Sequence, residues 1–464
     1  MTDFHQPLCE KMASGDFREL GTVPPEDSAV ARPNVSDFLH TLFFLLDESG
    51  VRYCVLHSWQ LLPNELCSDL DLAIHPLDKP KFLSIFEGLQ ERGYSPFQCF
   101  NYFTNAYYFV FFWFERAALK TAALDVISDH RRSGCILSTG EELVAGRQRH
   151  REFWIPSPKV EFAYLLGKKA WKGGVRESGA LRMRQLVERI GPIEAEKIAA
   201  QILPRSLRLR VAKACASGTI DKYLKNGRAM LRKTAWSRHP LRLIQYLGGE
   251  CRRAIRRWFQ PTGILVCILG PAGVEKSSVA GNLVKLFDDC PGFRRTGLFN
   301  CGPEPQAIAK QPRGTLTSVI YLSASVLNYL VRYSVIIRPL LARSAFLVCG
   351  GHFHDILRDP RRYGYSGPMW YAKFLCSAIP QPDIVIVIEP EGDFVFARDN
   401  DASLPAYEHL RDSYREMRFQ KARKVVVQTH REAAPALHAI SVAITEFMQQ
   451  RFVRRFRIRS VVVR

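Results

Sequence analysis

The first helical spacing of apolar positions is Phe38, Leu39, Leu42, Phe43 and Leu46, opened by Ser36 and Asp37 and stopped at Gly50. A short strand, Tyr53 to Leu56, follows. After a Pro-bearing loop comes a second strand around Asp69 to Ile74, then a helix from Lys79 to Arg92 that ends at Gly93. Two aromatic runs, Phe97 to Phe103 and Tyr107 to Phe114, and then Thr121 to Ile127, have the composition of strands. Helix, two strands, helix, three strands is an α+β order.

From Ser157 to about Gln260 the period turns helical, through Val160 to Trp171, Leu181 to Ile190 and Ile193 to Ile202. Pro261 and Gly263 mark a boundary. Beyond it, apolar strands at Ile264 to Leu269, Phe346 to Cys349, Ile384 to Ile388 and Lys424 to Val427 alternate with long helices, which predicts a parallel α/β sheet. The chain divides on these grounds into a loose leader (1–34), an α+β domain (35–156), a basic helical segment (157–260), an α/β domain (261–450) and a basic tail (451–464).

Composition, at 47% hydrophobic over 464 residues, provides for two or three ordinary cores and excludes a disordered or fibrous chain. The leader has no charged-then-apolar signal pattern. Twelve cysteines lie scattered without CxxC pairs or zinc spacing, as reduced thiols of a cytoplasmic protein would. Leu316 to Val348 is broken by Asn328, Arg332, Arg338 and Arg343, so it reads as helix, turn and strand, and no transmembrane segment is expected.

Charge changes the picture more. The net charge is +20, and residues 159–257 hold 24 Lys/Arg against 7 Asp/Glu. Such a segment suits an anionic substrate or surface (nucleotide phosphates, nucleic acid, an acidic polymer, a membrane) or is a solvated helical face. Within it, Arg252, Arg253, Arg256 and Arg257 fall on one predicted helix whose apolar side is Ile255, Trp258 and Phe259. That pattern fits either a helix resting on anionic lipid or a plain interdomain helix.

Candidate chemistry begins with Leu56-His57-Ser58 and, ten residues on, Asp69-Leu70-Asp71-Leu72. Alternation along a strand projects Asp69 and Asp71 to one side. Two carboxylates so placed repel unless a cation lies between them, and Mg²⁺, with its preference for oxygen, is the natural occupant. Asp125, between Leu124 and Val126 in a later strand, is a third acid where a carboxylate is costly without a partner.

This arrangement resembles the polymerase-β-like nucleotidyltransferase superfamily over residues 36 to 170. Ser58, Asp69, Asp71 and Asp125 match its motif; His57 stands where the family usually has Gly. The resemblance implies metal ligation and catalysis by Asp69, Asp71 and Asp125, and contact of Ser58 with the nucleotide phosphates. It also implies that Lys168 or Lys169, on the following helix, reaches the triphosphate, with Mg²⁺ and an NTP, ATP as the expected one, as cofactors.

Gly270-Pro-Ala-Gly-Val-Glu275-Lys276-Ser277 follows an apolar strand and opens a helix, the context of a P-loop. Gly270, Gly273, Lys276 and Ser277 are the expected nucleotide-binding positions. Residues 263 to 448 resemble thymidylate kinase-like proteins, particularly bacterial fusions with a nucleotidyltransferase-like half. The departures fall at the chemistry. Ala272 replaces an Asp, Glu275 the last P-loop Gly, and Gly350-Gly351 the Asp-Arg pair; Arg398 is what remains of the lid arginines. The resemblance therefore implies a degenerate kinase domain. Three readings stand at this point: a Mg²⁺-dependent nucleotidyltransferase fused to a degenerate kinase-like domain, a nucleotide-binding scaffold with neither half active, and an unusual nucleotide kinase. Acceptor and oligomeric state are not encoded in any of these residues.

Overall fold

The computed structural model describes residues 34–103, 105–132, 135–203, 210–238, 240–271, 276–303, 314–390, 404–429 and 433–456. Gly273, Ala272, Glu275 and Arg398, the leader up to 33 and the tail from 457 lie outside the described residues. The chain forms two compact units, one of Met1–Arg116, Lys120–Cys251 and Val453–Arg464, the other of Ala117–Leu119 and Arg252–Phe452.

The first unit is built on a mixed five-stranded sheet. Its strands are β1 (Tyr53–Val55), β2 (Leu70–Ile74), β3 (Ser95–Phe103), β4 (Ala106–Glu115) and β5 (Ala118–Ile127), in the order β1-β2-β5-β4-β3. β1 runs antiparallel to β2 and β3 antiparallel to β4, whereas β2 and β5 are parallel. Both faces of β4 are apolar because both faces are covered. The helices Val35–Glu48 and Lys79–Glu91 contribute Phe38, which stacks on Trp113 at 5.7 Å, and Phe86, which meets Phe109 and Phe111 edge-on. Asn34 caps the first of these helices, its side chain accepting from Asp37 N at 2.9 Å.

The opposite face is covered by helices drawn from the basic segment, chiefly Pro158–Lys172, Glu177–Ile190 and Pro192–Ile202. Cys54, Leu56, Ala73 and Ile127 of the sheet side share one apolar cluster with Phe162, Leu166, Leu186 and Ile198 of those helices. Two small hairpins, β6 (Asp129–Arg132) with β7 (Cys135–Thr139) and β8 (Gln148–His150) with β9 (Phe153–Ile155), complete the unit. Neither was legible as a strand pair in the sequence.

The second unit contains the parallel α/β sheet that the apolar runs predict. β10 (Ile264–Leu269), β11 (Arg295–Cys301), β12 (Ala345–His352), β13 (Ile384–Pro390) and β14 (Arg423–Thr429) lie in the order β11-β12-β10-β13-β14, all parallel. β10, buried throughout, is the central strand, and the order reverses about it.

The stretch Leu316 to Val348 is helix, turn and strand as expected: Thr315–Arg332 runs through a π-helical turn at Tyr333–Ile337 into Arg338–Ala342, and after a turn at 343–344 the strand β12 begins. By length and composition the helical part, Thr315–Ala342, is apolar enough to cross a bilayer. Interrupting arginines did not break it, because a long side chain can leave an apolar helix sideways into solvent. Its Leu322, Val326, Tyr329, Ile337 and Leu341 belong to the core of the second unit. One expectation is corrected, that of scattered reduced thiols. Cys301 and Cys349 form a disulfide between the neighbouring strands β11 and β12, a pairing that a separation of 48 residues does not announce.

Candidate functional site

The parallel register of β2 and β5 decides the site in the first unit. It sets Leu70 against Leu124, Asp71 against Asp125 and Leu72 against Val126, so the two acids are direct neighbours across the sheet. Asp71 is buried, and Asp69 lies half-buried just before β2. Burial penalises the Asp125 carboxylate, and Asp71 and, more weakly, Asp69 repel its charge, so its pKa is pushed up to about 7.

Asp71 has the opposite fate. Burial opposes its ionisation too, but Lys168 and His57 outweigh it and hold its pKa well below the usual carboxylate range. Lys168 Nζ is 3.0 Å from Asp71 Oδ1, and His57 Nε2 is 2.8 Å from Asp71 Oδ2. The Tyr164 hydroxyl donates to Asp71 Oδ1 at 3.2 Å. Lys168 Nζ also approaches His57 Nε2 at 2.6 Å, and His57 Nδ1 lies 2.8 Å from Ser58 Oγ. One buried carboxylate thus organises a lysine, a histidine, a tyrosine and, through the histidine, a serine.

Local structure explains how these side chains converge. Tyr164 and Lys168 are four apart on the helix Pro158–Lys172 and so share a face. Gly167 lets that helix approach His130, since a Cβ there would lie 3.1 Å from its ring. His130 is fully buried beside Tyr164, and burial drives its pKa down, which makes it a neutral wall of the site. Ser58 adopts a left-handed backbone at φ 59°, the sharp turn that leads off β1. Lys169 points away from this cluster toward Gly179, and burial lowers its pKa. The chain therefore separates the paired lysine expectation: Lys168 belongs to the site and Lys169 does not bond to it.

The oxygens of Asp69, Asp71 and Asp125 are the hard donors that Mg²⁺ takes. Among the described residues, however, no three His, Cys, Asp or Glu side chains already meet as a ligand set. The donor chemistry fits such an ion, and Lys168 occupies the flank of Asp71 where a cation would bind. Sequence reasoning missed His57 and Tyr164 as partners of Asp71; only His57 carried a signal, as a side chain where the resembling motif has Gly.

In the second unit, Gly270 and Pro271 leave the carboxyl end of β10 and Lys276 opens the helix Lys276–Asp288. Lys276 is buried, and its ammonium donates to the carbonyls of Gly270, at 2.8 Å, and Pro271. Burial and then Arg362 lower its pKa to about 8, against Asp355 and Asp359. Ser277 is exposed. Gly350 and Gly351 lie at the end of β12, and the acid near the lysine comes instead from Asp355 in the following 3-10 turn. Its carboxylate accepts from His352 N at 3.2 Å and from the Tyr363 hydroxyl at 3.3 Å, and burial pushes its pKa up. Lys276, Asp355 and Arg362 thus gather at the carboxyl edge of the sheet around the strand where its order reverses, the usual ligand crevice of open α/β sheets.

No protein-family model matches the chain, and no curated protein matches it. Among solved structures it is similar to a thymidylate kinase from Ehrlichia chaffeensis, at 14% identity and a TM-score of 0.29, over 39% of this chain and 98% of that one. It is also similar to a thymidylate kinase from Candida albicans, at 13% identity and a TM-score of 0.27, over 40% of this chain and 91% of that one. Scores of that size decide nothing about chemistry, for which the residues above are the basis.

Proposed function

We propose that the first unit is a Mg²⁺-dependent nucleotidyltransferase that uses an NTP, and that the second is a nucleotide-binding domain of kinase-like type without phosphoryl transfer of its own. One observation carries the first half: the in-register pairing of Asp71 with Asp125 on parallel strands, with Asp69 adding to the same negative field. Three acids in one field create a demand for positive charge that the protein meets in part, through Lys168 and His57.

In this reading Asp69, Asp71 and Asp125 would hold the cation, which stabilises charge on the attacking and leaving oxygens of an in-line displacement. The remaining work falls to the chain. Asp125 lies beside the acceptor hydroxyl and takes its proton. The acceptor oxygen bonds to the α-phosphorus while the bond to the pyrophosphate oxygen breaks. Lys168, released from Asp71 as the phosphates arrive, holds the departing pyrophosphate, and His57 and Ser58 orient the triphosphate from the turn after β1.

A second reading rests on the Lys168–Asp71 ion pair itself. A half-buried ammonium 3.0 Å from the carboxylate neutralises it, which suits a scaffold that binds without turnover. Incubation of the full chain with each labelled NTP and Mg²⁺ separates the two. Pyrophosphate release that Asp125→Asn abolishes supports the transferase, and nucleotide binding without pyrophosphate or ADP supports the scaffold. ADP release that survives Asp125→Asn but is lost in Lys276→Met assigns the activity to the second unit.

A further inference from the structure

The helix Pro240–Phe259 wears its apolar side outward. Leu241, Ile244, Leu247, Ile255, Trp258 and Phe259 fall within one arc of the helix, and all are exposed, Leu241 and Phe259 by 73%. The opposite arc carries Tyr246, Glu250, Arg253 and Arg257, which are half-buried. This inverts the ordinary arrangement, in which a surface helix turns its apolar stripe to the core. Exposed arginines, Arg242, Arg252 and Arg256, border the apolar arc on one side. Trp258 and Phe259 stand together at its carboxyl end.

We infer that this helix is a membrane-surface anchor that lies in the headgroup plane of an anionic bilayer. The stripe covers less than half of the helix, and the other half is charged, so the helix suits the interface and not a span. Its basic border selects negative headgroups, and the surrounding segment, with 24 Lys/Arg against 7 Asp/Glu over residues 159–257, extends that attraction. A second copy packed antiparallel about a two-fold axis is a poor occupant, because that arrangement brings arginine row against arginine row. Within the second unit the outward surface continues the theme. Arg338 donates to the carbonyl of Phe259 at 3.2 Å, and the helix that ends in Arg338–Ala342 exposes Leu316, Ile320 and Leu327 along its outer row. Trp370, on a neighbouring helix tied to it by the Ser323–Tyr371 hydroxyl bond, is likewise exposed. The inference is independent of the nucleotidyltransferase reading.

The test is co-sedimentation of the full chain with vesicles of phosphatidylcholine alone and of phosphatidylcholine mixed with phosphatidylserine, at low and physiological salt. The expected result is binding to the mixed vesicles in both buffers and little to the neutral ones. Ile244→Gln, Ile255→Gln and Trp258→Gln together leave the net charge unchanged and should abolish binding at physiological salt. Arg252→Gln with Arg256→Gln should weaken it by roughly fivefold per side chain. Circular dichroism and gel filtration of each variant separate loss of binding from loss of fold. Should the triple variant unfold, Trp258→Gln alone, with the same direction of change, replaces it. Failure of the wild type to bind anionic vesicles at low salt overturns the inference. So does a triple variant that binds as well as wild type, since charge alone would then explain adsorption. A folded triple variant that loses self-association in gel filtration, from a wild type that ignores both vesicles, assigns the stripe to a second copy instead.

Discussion

Asp71 and Asp125 are neighbours in register on parallel strands, yet they lie at opposite ends of the ionisation range. Lys168 and His57 keep Asp71 ionised, while burial, with Asp71 and Asp69 beside it, keeps Asp125 protonated up to about pH 7. Two like carboxylates on neighbouring strands separate in this way because the first charge makes the second costly. The asymmetry leaves Asp71 a fixed charge and Asp125 a group that takes up a proton near neutrality.

Asp125→Asn should stabilise the fold at high pH and leave it unchanged at low pH. The folded pKa is raised above the unfolded carboxylate value, so the protonated form is favoured on folding. Stability is fully present below the unfolded value near 4 and is lost as pH rises toward about 7. At pH 8 the gain should be on the order of a few kcal/mol at most. Urea unfolding of both proteins at pH 4 and pH 8 measures it; an equal difference at the two pH values contradicts the assignment. Added Mg²⁺ should narrow the gap at pH 8 by favouring the ionised wild-type carboxylate.

Lys168→Met removes the cation that neutralises Asp71. Breaking one partner of a buried pair costs about 3–5 kcal/mol, and Asp71, at 5% exposure, gains little compensating hydration. The variant should therefore be less stable without divalent ions and should bind Mn²⁺ more tightly than wild type by calorimetry. Unchanged Mn²⁺ affinity in a folded variant would place the lysine outside the metal's reach.

The second unit should release no ADP from ATP in the presence of thymidine monophosphate and Mg²⁺. Lys276 spends its donors on the carbonyls of Gly270 and Pro271, and Gly350 and Gly351 present no side chain to a phosphate. Loss of arginines that serve phosphoryl transfer costs about a thousandfold or more in rate. Turnover that disappears in Lys276→Met would overturn this and show that Lys276 exchanges those carbonyls for phosphate.

Gly140→Ala should destabilise the first unit by roughly 1–3 kcal/mol. A Cβ there would lie 2.0 Å from the carbonyl oxygen of Ser128 and 2.8 Å from Pro76, and backbone cannot yield as a flexible side chain does. A shift in the urea midpoint with unchanged slope is the expected reading; no shift would mean that the segment around Ser128 relaxes freely.

The sequence by itself determined most elements and the identity of the acids. Apolar alternation located β2 and β5, and a wholly apolar run located β10, because burial on one face or both is written directly into residue type. The Asp-x-Asp spacing predicted Asp69 and Asp71 on one side of a strand from pleat alone, whereas the strand itself begins at Leu70. Tertiary structure decided everything that needed two distant segments. That Asp71 faces Asp125 follows from the register of two strands separated by a helix and a hairpin, and no local pattern fixes that register. Lys168 and Lys169 are equivalent in sequence, and only the rotation of their helix against the sheet gave one of them to Asp71. The same holds for Asp355, which a turn after β12 carries toward Lys276, and for the Cys301–Cys349 bond. The outward apolar face of residues 240–259 is the plainest case. Periodicity showed that the helix is amphipathic, but which side is covered is a property of packing, and packing chose the side of Tyr246, Glu250, Arg253 and Arg257.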